Sequence, residues 1–209
     1  MKHCLLKIIF RLQKLLLWLS YRACRLLPTF ARKPVTWVVG VDETAGLLGN
    51  IAAALPSAYS VKLGGSAYHD FAYDFALPQR RRHAWLTGLQ RLVYGPLLLG
   101  WLLNRAEGFI FIWSTGFLKE GVDQREFEFS FIRDCGKKLV CYFVGNDIRS
   151  PALTRALGAR LGFDVISVYD DQAAPIRAAA GYEAEKKRVA EIAERYAGLI
   201  FNPPVDQTS

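Results

Sequence analysis

Three short runs, VTWVVGVD (35–42), FIFIWST (109–115) and KLVCYFVG (138–145), constrain this chain more than any other feature. They are rich in β-branched and aromatic residues and nearly continuous in apolar character. That is the pattern of strands buried on both faces, as in a parallel sheet. The segments between them suit crossovers. A helix after Asp42 ends near Leu55, before Pro56, with Asp42 and Thr44 as candidate caps. YSVKL (59–63) reads as a second strand, and Gly64–Gly65 turns the chain. Residues 69–82 (HDFAYDFALPQRRR) are aromatic-rich and have no clear period. Residues 83–106 predict a long apolar helix, with Pro96 as a kink or split point.

Residues 123–135 carry two patterns. EFEFSF alternates like a strand, whereas Phe127, Phe131 and Cys135 recur every four residues. A parallel crossover needs about a dozen residues, which selects a helix. A short helix over 151–161, a strand at 164–169, an amphipathic helix at 183–196 and a strand at 199–201 complete the order. Val189, Ile192, Ala193 and Tyr196 form the apolar stripe of the 183–196 helix. Glu183–Lys187 and Glu191–Arg195 are its predicted i,i+4 pairs. The alternation predicts an α/β fold, a Rossmann-like parallel sheet with helices on both faces, preceded by an N-terminal amphipathic helix.

Length and composition bound the rest. The 209 residues suffice for one α/β domain with a real core, and 52% apolar against 22% charged residues excludes a disordered chain. No stretch reaches the roughly 18 consecutive apolar residues of a spanning helix. Four cysteines (Cys4, Cys24, Cys135, Cys141) form no C-x-x-C pair and do not group with the three histidines. They read as free thiols in a reducing compartment, with no metal site expected.

The charge is unevenly placed. Residues 1–33 hold eight of the 27 basic side chains and no acidic one. The remaining 19 basic groups balance the 19 acidic ones, so the body from residue 34 onward is neutral. A nucleic-acid binder spreads positive charge over its folded domain, and no nucleic-acid partner is expected here. At 100° per residue, Lys7, Arg11, Lys14, Arg22 and Arg25 fall within an arc of roughly 80° on a helix otherwise filled by Leu, Ile, Phe and Trp18. Such a basic stripe suits a helix lying on an anionic membrane surface. Packing against the domain or a partner chain, and a targeting peptide, are the competing readings. The expected division is a membrane-surface helix over 1–33 and a Rossmann-like domain over 34–209.

Ligands of open parallel sheets sit at the C-terminal strand ends. That rule selects Gly40, Val41, Asp42 and Glu43 with Gly46; Gly64, Gly65 and Ser66; Trp113, Ser114, Thr115 and Gly116; and Gly145, Asn146, Asp147, Ile148 and Arg149. VGVDETAG lacks the glycine spacing of a phosphate loop and places two carboxylates where phosphate would sit. Arg149 either binds an anion or pairs with Asp147, and the same segment also reads as a turn with Ser150 capping the next helix. His69 beside Asp70 is the general-base candidate by residue type. His83 follows three arginines that face either an anion or solvent.

VVGVDETAGLLGNIAAALP, GFIFIWSTGFL, GVDQREFEFSFIRDCGKKLVCYFVGNDIRSP and ERYAGLIFNPPVDQTS resemble the N-terminal half of bacterial GT-B glycosyltransferases of the family 1/4-like, membrane-associated kind. The resemblance covers residues 35–209. It implies the acceptor-binding lobe of an enzyme that moves a sugar from a nucleotide-sugar to a glycan or lipid-linked acceptor in envelope or capsule polysaccharide synthesis. It also implies a peripheral position on the inner face of the cell membrane, and no cofactor beyond the nucleotide-sugar co-substrate. The donor-binding lobe of that family would begin where this sequence stops, so activity of this lobe alone is not expected, and a separate chain is one possible source of the second lobe. Asp42 and His69 become the catalytic candidates. Gly40, Glu43, Gly64, Ser114, Gly116, Asn146, Asp147 and Arg149 become substrate-binding candidates, and Lys7, Arg11, Lys14, Trp18, Arg22 and Arg25 membrane-binding ones. The alternative is a non-catalytic membrane-docked α/β module that binds a partner protein.

Overall fold

The computed structural model describes residues 2–26, 35–65, 71–77, 84–112, 115–118, 123–145, 150–162 and 181–202. Its elements in chain order are α1 (Lys2–Leu26), β1 (Val35–Glu43), α2 (Leu47–Ala54), β2 (Ala58–Gly65), β3 (Phe75–Ala76) and α3 (Ala84–Leu103). They continue with β4 (Ala106–Ile112), α4 (Glu126–Asp134), β5 (Lys138–Tyr142), α5 (Pro151–Leu161), α6 (Tyr182–Tyr196) and β6 (Leu199–Phe201).

The strands form a six-stranded sheet in the order β3-β2-β1-β4-β5-β6, and every pairing is parallel. This is a Rossmann-like arrangement. Consecutive strands step outward from β1 in one direction, then the chain returns to build the other half from β4. The crevice between the C-terminal ends of β1 and β4 is therefore the topological switch point.

Strand alternation sorts the core into two clusters. Val38, Val61, Leu63, Phe109, Phe111, Leu139 and Cys141 join α3, α4 and α6 on one face. Val39 and Ile112 join Leu48 of α2 on the other. Val189, Ile192 and Ala193 are the buried stripe of α6. Its charges go elsewhere than the predicted pairs. Arg188 and Arg195 reach Glu126 on α4, Glu183 accepts the Ala152 N–H at 2.8 Å, and Lys187 pairs with Glu191 at 4.0 Å. Arg188, Arg195 and Glu183 thus bond to neighbouring helices rather than along the exposed face of α6, where such pairs stabilise only weakly, and Lys187 takes a different i,i+4 partner from the expected one.

Several features differ from expectation. β2 runs on through Gly64–Gly65, where the sequence predicts a turn. β3 arises in the aperiodic stretch: Asp74 accepts both the N–H and the hydroxyl of Ser60, each at 2.8 Å, and so holds a two-residue edge strand against β2. α3 runs through Pro96 without a break. β4 begins and ends three residues earlier than predicted, and β5 ends at Tyr142. The strand predicted at 164–169 lies outside the described residues.

α1 packs as an outer layer over α3 and α4. Proline at position 96 has no N–H for the carbonyl of Leu92 four residues earlier, and Gln13 Nε2 donates to that carbonyl at 3.4 Å. Ser20 Oγ donates to Leu97 O at 2.8 Å, and Asn104 Nδ2 donates to Tyr21 O at 3.1 Å. A Cβ added at Gly100 would come within 2.7 Å of the Tyr21 nitrogen, so this glycine lets the two helices approach closely. Phe10 and Tyr21 meet Phe127 and Phe131 of α4 edge-on. No helix of the described residues is long and apolar enough to cross a membrane.

Candidate functional site

β1 ends in two adjacent carboxylates that serve opposite faces of the sheet. A register irregularity between Val41 and Asp42 sets Asp42 opposite Gly64 of β2. Asp42 Oδ2 accepts the Thr115 hydroxyl at 2.5 Å, a bond that crosses the β1/β4 switch point. Arg91 of α3 lies behind it. Its Nη2 donates to Gly116 O at 3.2 Å and stands 3.9 Å from Asp42 Oδ1. A Cβ on Gly64 would run into Asp42 Oδ1 and come within 3.0 Å of Arg91 Nη1. The absence of a side chain at Gly64 thus makes room for the pair.

The pairing is incomplete. Asp42 Oδ1 and Arg91 Nε are both buried and have no hydrogen-bond partner among the described residues. An acceptor and a donor left open on two paired side chains suit a hydroxyl group, which can donate to the first and accept from the second. Buried polar atoms without partners are costly, so this corner of the crevice favours a small polar guest.

A third acidic residue supports the loop from below. Glu128, fully buried on α4, accepts the backbone N–H groups of Phe117 at 2.8 Å and Leu118 at 3.1 Å. Burial raises its pKa from 4.5 to about 7, against the opposing pull of those two N–H groups and of Arg125 and Arg91. Gly116 leaves space for the carboxylate, since an added Cβ there would strike Glu128 Oε2.

Glu43 turns to the other face. Its Oε2 accepts the Gly49 N–H at 3.2 Å and the Tyr73 hydroxyl at 2.8 Å, and its Oε1 is buried without a partner. Gly49 lies in the first turn of α2, whose N-cap, Gly46, has no side-chain cap. Glu43 therefore satisfies an N-terminal N–H that the sequence reading gave to Asp42 or Thr44. Ser150 caps α5, accepting from Leu153 N at 3.1 Å, as the turn reading of that segment predicts.

Of the sequence candidates, Asp42, Glu43, Gly64 and Gly116 gather at the tips of β1 and β2 and in the segment after β4, whereas Gly40 lies inside the sheet between Val61 of β2 and Phe111 of β4. Gly40 pairs with Val61, and an added Cβ would approach the Val61 carbonyl at 2.8 Å. His69, Ser114, Asn146, Asp147 and Arg149 lie outside the described residues. On α1, Lys7, Arg11, Trp18, Arg22 and Arg25 are exposed. Lys14 is half-buried, with Nζ over the rings of Phe10 and Phe127 at 4.4 and 4.1 Å. The described cysteines are free, and Cys141 is buried, which pushes its thiol up to about 12. No group of metal-binding side chains occurs among the described residues.

Sequence reasoning missed Arg91, Thr115 as the partner of Asp42, and Glu128. Arg91 did carry a signal: it is the sole charged residue within Ala84–Leu103, and a lone arginine in an apolar helix needs a polar partner. No family model, no curated protein and no solved structure matches this chain.

Proposed function

We propose that this chain is the acceptor-binding lobe of a glycosyltransferase, docked peripherally on the inner face of the cell membrane and acting on a glycan or lipid-linked acceptor in envelope or capsule polysaccharide synthesis. The observation that carries the reading is the Asp42–Arg91 pair at the switch point, with one unpartnered acceptor and one unpartnered donor. The GT-B resemblance supplies the reaction class. The exposed leucines and basic flank of α1 support the membrane position.

Asp42 Oδ1 accepts a hydrogen bond from the acceptor hydroxyl and takes its proton as that oxygen attacks the anomeric carbon. The bond from that carbon to the diphosphate breaks, and the leaving diphosphate carries away the electron pair. Arg91 Nε orients the attacking oxygen. Thr115 holds the carboxylate in position through Oδ2. The nucleotide-sugar is a co-substrate held by a second lobe, and no metal or further cofactor is invoked. His69 is the other candidate for the base.

Saturation-transfer NMR with a panel of free oligosaccharides and nucleotide-sugars tests the binding step. The expected result is transfer to one or more oligosaccharides, lost in Asp42→Asn, with none to the nucleotide-sugars. Wild-type protein that binds no saccharide, or an Asp42→Asn variant that binds as well as wild type, would overturn the reading.

Leu199 and Phe201, exposed on β6 at one end of the sheet formed by the described residues, favour a second reading in which this face receives a partner protein and no sugar is transferred. On that reading a Leu199→Ser/Phe201→Ser variant loses function in cells, whereas Asp42→Asn does not.

A further inference from the structure

α1 buries one stripe, which includes Phe10, Gln13 and Leu17. The 3.6-residue period places different chemistry on its two exposed flanks. Lys7, Arg11, Trp18, Arg22 and Arg25 lie on the flank beyond Phe10, Lys14 and Tyr21, the side that meets α4. Leu5, Leu12, Leu15 and Leu19 lie on the opposite flank, beyond Gln13 and Ser20, the side that meets α3. Leu12 and Leu15 are 55% and 51% exposed.

The apolar flank does not end with α1. Leu89, Val93 and Leu97 recur every four residues on α3, and all are exposed, Val93 by 49%. On the helical projection they follow directly from Gly100, where α3 touches Ser20 and Tyr21. The hydrogen bonds from Gln13, Ser20 and Asn104 hold the two helices together as one slab.

We propose that α1 and α3 together form a single docking surface for an anionic lipid bilayer, with Leu89, Val93 and Leu97 entering the acyl boundary beside the α1 leucines. This inference rests on the membrane reading above and extends it to a second helix. Charge complementarity selects the occupant. Arg11 and Arg22 border the apolar flank at Leu15, and Arg22 lies 5.5 Å over the ring of the exposed Trp18, an arrangement suited to a headgroup layer. The placement also orients the site. Arg91 lies between Leu89 and Val93 in sequence but projects to the opposite side of α3, toward Asp42. A bilayer against the outer face of α3 would set the Asp42–Arg91 pair about one helix diameter, roughly 10–12 Å, from the membrane.

Flotation with vesicles of mixed phosphatidylglycerol and phosphatidylcholine, and with phosphatidylcholine alone, tests the proposal. The proteins compared are wild type, Leu12→Ser/Leu15→Ser on α1, and Val93→Glu/Leu97→Glu on α3, with Val93→Ser/Leu97→Ser as a milder form. Circular dichroism checks that each is folded. Wild type is expected to float with the anionic vesicles, and each pair of substitutions to lower its partition at least tenfold. If the α1 variant loses binding while both α3 variants float like wild type, the two-helix surface is overturned and the one-helix membrane reading stands. If wild type binds neither vesicle, the membrane reading fails and takes this proposal with it. If light scattering shows that the α3 variants change oligomeric state while vesicle binding is unchanged, the face is an interface between copies and the proposal is overturned.

Discussion

Thr115 donates its hydroxyl to Asp42 Oδ2 at 2.5 Å and so ties the segment after β4 to the tip of β1 across the crevice where the sheet's connections diverge. In a parallel α/β sheet this crevice is the place where backbone layers part and a ligand can enter. The bond constrains the carboxylate on one oxygen and leaves the other directed at Arg91.

Thr115→Val keeps the shape and removes the donor. Asp42 would then hold two buried oxygens without hydrogen bonds, which costs about 1–3 kcal/mol for a group of this kind. Urea denaturation should show that loss, and Thr115→Ser should restore most of it. Equal midpoints for wild type and Thr115→Val would mean that the bond contributes nothing.

Gly64→Ala tests the space beside the pair. Its methyl group would meet Asp42 Oδ1 and the Arg91 guanidinium, so either the β2 tip or the arginine must shift. Overpacking of this sort costs about 1–3 kcal/mol. Saccharide binding should fall with it while the far-ultraviolet circular dichroism stays native. A variant with unchanged stability and binding would show that Arg91 can move without consequence.

The fold was readable because burial on both faces leaves a strong mark: Val38, Val39, Phe109, Ile110, Leu139 and Val140 sit in nearly continuous apolar runs, and each run became an interior strand of the sheet. β3 left no such mark. Two residues carry no periodicity, and a side-chain acceptor from Asp74 holds the strand in place. The site was half legible. Asp42, Gly64 and Gly116 follow from the rule that strand tips bind, which needs only strand positions. Arg91 and Glu128 come from helices, and their contacts depend on how α3 and α4 pack over the sheet, information that no local window contains. For α1, packing on the domain and lying on a membrane surface are competing readings of the sequence. The structure shows the buried stripe and the exposed leucines on the same helix.

Glu128 should make stability pH-dependent. Its folded pKa, about 7, lies above the ordinary 4.5, so the folded chain binds a proton that the unfolded chain has already released between those values. The resulting stabilisation is complete below about pH 4.5 and is lost as the pH rises through 7, with an upper bound on the order of 3 kcal/mol. Relative to Glu128→Gln, which does not titrate, wild type should lose stability across that window and level off above it. Thermal melts of both proteins from pH 5 to pH 8 would measure the difference, and parallel curves would place the carboxyl's titration outside this range.

Gln13 and Pro96 should be energetically coupled. The proline leaves the Leu92 carbonyl without its intrahelical donor, and Gln13 Nε2 occupies that position from α1. Gln13→Leu fits the apolar stripe but leaves a part-buried acceptor without its donor, at a cost of up to about 1–3 kcal/mol. Pro96→Ala provides the helix with its own N–H at that position. In the alanine background, therefore, Gln13→Leu should cost less than half as much. A double-mutant cycle by chemical denaturation reads the coupling directly. If the two costs simply add, the glutamine is held in α1 by something other than the carbonyl that the proline leaves open.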